Sequence, residues 1–189
     1  MRTFDVEILM VPGWSGAGPD HWQTRWEKRL KTARRVEQDD WQRVDERVWS
    51  QRLVEVVRAA TRPVILIAHS CGVPTVAHAA PRLPRDRTLG AFLVAPGGEK
   101  ETKALPGVSP SFVPYPRDPL PFPSLLVASR NDPHCSFEEA GDMALAWGSM
   151  LVDAGEVGHL NTESGHGPWP EGAMRFGWFL KQLGKARAT

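Results

Sequence analysis

Cysteine and unbalanced charge are both scarce in this chain, and each shortage removes a class of protein. Two cysteines, Cys71 and Cys135, in 189 residues cannot build a disulfide framework. No matching His/Cys cluster makes them a closed metal site, so both are expected as free thiols. With 23 basic and 22 acidic residues the formal net charge is +1, which leaves no electrostatic footprint for nucleic acid. The locally basic stretch from Arg25 to Arg35 reads as a solvated helix face. No apolar stretch approaches the roughly 18 residues of a membrane span, and Met1-Arg2-Thr3-Phe4-Asp5 lacks the apolar core of a signal peptide. A cytoplasmic chain without a membrane or nucleic-acid partner is expected. Repeats, low-complexity tracts and a dividing linker are missing too, so one domain is expected over residues 1–189, whose 41% hydrophobic content suffices for a full core.

What is there is an alternation of strand and helix patterns. Val6 to Val11 is an apolar run stopped by Pro12-Gly13, the mark of a buried strand. Asp20 is placed to cap a helix that carries Trp22 and Trp26 on one face. A weaker strand at Arg34 to Gln38 precedes a helical pattern from Val44 to Ala60, and an apolar strand begins at Pro63. A helix from Gly72 to Ala80, a strand at Leu89 to Val94 and a Pro/Gly-rich loop from Pro96 to Pro123 follow. Strands at Ser124 to Ser129 and Ser149 to Val152 flank a helix from Phe137 to Trp147, and a helix from Gly172 to Leu183 closes the chain. The pattern predicts an α/β fold: one doubly wound, mostly parallel six-stranded sheet with helices on both faces.

The third strand runs straight into Ala68-His69-Ser70-Cys71-Gly72. A serine at the apex of a sharp strand-to-helix turn, with small residues two before and two after it, has the form of a nucleophile elbow. Alanine stands where the usual pattern has its first glycine, the smallest departure available. A serine hydroxyl needs a histidine base, itself oriented by a carboxylate, and reactive groups in such sheets collect at the carboxyl ends of strands. Asp132 lies just past the fifth strand and His159 just past the sixth. The order Ser, Asp, His is that of an α/β-hydrolase. Asp153 is the alternative acid. Among competing bases, His69 sits inside the elbow, His78 in a helix, and His134 next to Asp132 in sequence. His21 and His166 fall in loops at the reactive end and are read as substrate contacts.

Acyl transfer also needs donors for an oxyanion, and the N–H groups of Cys71 and Trp14 are the candidates. Cys71 itself is one residue out of register for attack. The Pro-rich segment before the fifth strand is too short for a cap domain with its own core, so the site is expected to be shallow, with Trp14, Phe112 and Tyr115 as walls.

Pro12-Gly13-Trp14-Ser15-Gly16, His21-Trp22-Gln23, the elbow, Ser129-Arg130-Asn131-Asp132-Pro133, and Gly158-His159-Leu160-Asn161 with Ser164-Gly165-His166-Gly167-Pro168-Trp169-Pro170-Glu171-Gly172 resemble the small serine hydrolases related to YdeN and retinoblastoma-binding protein nine. The resemblance spans nearly the whole chain. It implies a minimal α/β-hydrolase with Ser70, Asp132 and His159 as its triad, and it does not fix the substrate. The residues themselves are read as a serine hydrolase without cofactor or metal, acting on a small carboxylic ester, amide or thioester by an acyl-enzyme route. A protein-binding role, suggested by the family's name, and acyl transfer by the same triad are the alternatives.

Overall fold

A strand inside a parallel sheet is covered on both faces, so it must be apolar at consecutive positions rather than alternate ones. The computed structural model, which describes residues 1–186, shows this in β1 (Glu7–Val11), β3 (Val64–Ser70), β4 (Thr88–Pro96) and β5 (Ser124–Ala128). Successive side chains enter different cores. Leu9 and Leu66 pack with α2 (Glu46–Arg58), α3 (Gly72–Ala79) and α5 (Phe137–Trp147), whereas Ile8, Ile65 and Ile67 pack with α1 (Trp22–Arg29) and α6 (Pro170–Ala186). The edges are β2 (Ala33–Arg35) and β6 (Met150–Asp153).

All six strands are parallel in the order β2-β1-β3-β4-β5-β6. The chain leaves β1 outward to β2, then returns past β1 to build every later strand on the other side. That reversal opens a crevice at the carboxyl ends of β1 and β3, where doubly wound sheets hold their ligands. The architecture is that of a minimal α/β-hydrolase, with no separate cap among the described residues.

Local chemistry departs from the sequence reading in three places. His21 caps α1, its Nδ1 accepting the Gln23 N–H at 3.2 Å, while Asp20 is taken by Arg25 at 2.9 Å. The basic stretch is not simply solvated: Arg34 pairs with Glu7 and Arg35 with Glu27, each at 3.1 Å. The stretch between β4 and β5 is more than loop, because it forms α4 (Glu99–Ala104), which buries Thr102.

The Trp169-Pro170-Glu171-Gly172 motif has a packing reason. Trp169 lies against Trp22 and Trp26, ring centroids 5.0 and 5.9 Å away. Its indole covers Gly172 so closely that a Cβ there would enter the ring. Glycine in the first turn of α6 is what lets this aromatic cluster close. Among the described residues no helix is long and apolar enough to cross a membrane.

Candidate active site

The elbow after β3 is built by close backbone approach. Ser70 has φ 54°, a left-handed conformation that costs a non-glycine residue roughly 1–2 kcal/mol and turns the serine out of the strand direction. A Cβ on Gly72 would collide with the carbonyl oxygens of Val11 and Pro12. One on Gly13 would lie 2.7 Å from Ser70 Cβ and 3.0 Å from the Cys71 nitrogen. Both glycines are therefore required, since they let the β1 loop lie over the elbow. Ala68 is fully buried between β1 and β4, and its methyl is tolerated there.

His159 and Asp132 meet at the ends of neighbouring strands. Nδ1 of His159 is 2.8 Å from Oδ2 and 2.9 Å from Oδ1 of Asp132, and both side chains are almost wholly buried. A carboxylate only accepts, so Nδ1 carries the proton and Nε2 is left for another partner. The two loops are laced together. Asn131 Oδ1 accepts the Gly158 N–H at 2.7 Å, and Ser129 Oγ accepts that of Val157 at 3.0 Å. The Trp22 indole donates to the Leu160 carbonyl at 2.8 Å, tying α1 to the same turn.

Two further histidines pack on His159 and a third, His21, packs on one of them, a feature the sequence reading missed. His134 stands edge-on at 4.5 Å between centroids, and His69 is 4.8 Å away. His69 Nε2 lies 2.9 Å from the His159 carbonyl oxygen, which must accept, so that nitrogen carries the proton. Burial holds His69 well below the usual imidazole range, with nearby His159 and His21 adding to the effect. His21, 4.9 Å from His69, is lowered to about 4, chiefly by burial and then by Arg35. His21 and His69 are therefore neutral near pH 7, and His69 props the loop that carries His159.

Ser70, His159, His21, His69, His134 and Trp14 border one cavity of about 360 Å³. Two expected walls lie elsewhere. Phe112 and Tyr115 are core residues at 0% and 3% exposure, packed on each other and on His78. Aromatic residues among prolines do not reveal from sequence which way the segment folds. His166 is also outside the cavity wall, its Nδ1 3.1 Å from Ser164 Oγ. Beneath the elbow the Cys71 thiol is buried, and burial raises its pKa against the opposing pull of the Trp14 N–H and the Thr102 hydroxyl. Such a thiol is inert. Among the described residues no group of His, Cys, Asp and Glu could hold a metal ion.

The Serine hydrolase family pattern matches residues 8–178. The chain belongs to this family. A YdeN-like hydrolase from Pectobacterium atrosepticum is 34% identical with a TM-score of 0.84, over 96% of this chain and 94% of that one. The ydeN gene product of B. subtilis, 17% identical, superposes with a TM-score of 0.74 over 92% and 98% of the two chains. Esterase 2 of Thermogutta terrifontis, 15% identical, shares the fold with a TM-score of 0.67 over 97% and 86%. No curated protein matches. This serine hydrolase is YdeN-like in both sequence pattern and fold.

Proposed function

We propose that this serine hydrolase cleaves a small carboxylic ester, amide or thioester through an acyl-enzyme on Ser70. The observation that carries the reading is His159, paired with buried Asp132 and bordering the same cavity as a serine held at positive φ. With Nδ1–H fixed on Asp132, His159 Nε2 takes the Ser70 proton as Oγ attacks the carbonyl carbon. Asp132 stabilises the imidazolium that forms. The N–H groups of Cys71 and Trp14 are the donors proposed for the oxyanion of the tetrahedral intermediate. Close packing of Gly13 on the elbow holds the β1 loop against the Cys71 nitrogen, and in this reading the Trp14 N–H exchanges its resting partner, the Cys71 thiol, for the oxyanion. His159 then protonates the leaving group, and a water activated by the same nitrogen releases the acid.

A fluorophosphonate probe tests whether the serine is activated. Wild-type protein is expected to be labelled at one site, and Ser70→Ala to lose both the label and ester turnover while keeping its fold. Labelling or turnover that survives the substitution removes Ser70 from the mechanism.

A further inference from the structure

The cavity wall carries charge of one sign. Glu101, half-buried on α4, and Glu163, exposed on the loop after His159, both line it, and no lysine or arginine does. Neither carboxylate has a hydrogen bond or ion pair among the described residues. A second carboxylate stands behind Glu101: a Cβ on Gly98 would be 2.7 Å from both Glu101 Oε2 and Glu139 Oε2. The nearby cations are committed or turned away. Arg35, which faces His21, is held by Glu27 at 3.1 Å, Arg117 is held by Glu99 at 2.8 Å, and Lys100 and Lys103 are exposed on α4 outside the wall. Trp14 supplies an aromatic surface in the same wall, the other surface chemistry that attracts an ammonium.

We infer that the substrate carries a positive charge close to its reacting carbonyl, with Glu101 as the main specificity-determining carboxylate and Glu163 reinforcing it from the rim. The inference rests on the serine hydrolase reading above and adds the substrate class. Two unpaired carboxylates on the wall of a partly enclosed cavity attract an ammonium and repel a carboxylate, and exposure keeps the effect moderate.

Matched thioesters read through the released thiol test this on both sides of the scissile bond. On the leaving-group side acetylthiocholine is compared with its neutral 3,3-dimethylbutyl isostere and with S-acetyl-3-mercaptopropionate. On the acyl side the phenyl thioesters of β-alanine, butyrate and succinate are compared. The cationic member of at least one set is expected to exceed the neutral one by about three- to tenfold in kcat/KM, with the anionic member slowest and the spread shrinking as salt is added. The set that shows the gain tells which part of the substrate Glu101 meets. Glu101→Gln should bring the cationic-to-neutral ratio close to one, Glu101→Lys should favour the anionic member, and Glu163→Gln should lower the ratio less. Equal rates across both sets, or a faster anionic member, overturn the inference while fluorophosphonate labelling and neutral-thioester turnover leave the catalytic reading standing. Absence of both labelling and turnover overturns the two together.

Discussion

Arg130 Nε donates to Asp153 Oδ2 at 2.7 Å, and the Gly155 N–H donates to the other oxygen of the same carboxylate at 2.8 Å. The carboxylate at the end of β6 is thus turned to its own strand end and to β5, and His159 takes both oxygens of Asp132 instead. Asp153 has the position in sequence of a catalytic acid without the geometry of one.

Asp132→Asn is therefore expected to lower kcat by a factor on the order of 10³–10⁴, because an amide no longer enforces the tautomer that frees Nε2. Asp153→Asn should stay within about twofold of wild type, since only an exposed ion pair is lost. Steady-state kinetics on one activated ester compares them, and the larger loss in the Asp153 variant would exchange the two roles.

Acid should weaken the fold through buried imidazoles. His21 falls from 6.5 to about 4 on folding, and His69 shifts in the same direction, so between these values the unfolded chain binds more protons than the folded one. Stability then rises with pH over that window: it is fully present above about 6.5 and is lost as pH falls toward 4. His21→Asn keeps an acceptor to cap α1 and should flatten the Tm-against-pH curve from pH 6.5 to 4. A curve as steep as wild type would mean that His21 does not contribute.

A cavity of about 360 Å³ without a cap domain can bury only a short acyl chain. Each methylene truly buried contributes about 0.8 kcal/mol, so kcat/KM should climb along p-nitrophenyl esters only to about four to six carbons. Assays from acetate to palmitate below micelle formation decide it. A maximum at about twelve carbons or beyond would show that the segment from Leu105 to Pro123 closes over a tunnel.

The elbow was legible in sequence because close packing admits few residues at Gly13, Ala68 and Gly72, and the strand before it is apolar throughout. Asp132 and His159 were legible because the parallel topology puts strand ends together. His134 was not, since adjacency to Asp132 in sequence does not say that its ring turns back onto His159. Glu101 was hidden inside a stretch that prolines and glycines marked as loop, although six of its residues form α4. Asp20 and His21 compete for one cap, and sequence alone does not rank an imidazole nitrogen above a carboxylate already drawn to Arg25.

The strand order also governs how the molecule can assemble. β1 is made first yet ends between β2 and β3, and parallel strands cannot pair through a tight hairpin, so every pairing waits for a long crossover to close. Until then the chain exposes strands apolar on both faces, with bare edges that other copies can join. His159 follows β6, the last strand and an edge, so hydrolysis should return only with the final refolding phase, and its yield should fall as protein concentration rises. Activity that reappears before the native tryptophan fluorescence would contradict that order of assembly.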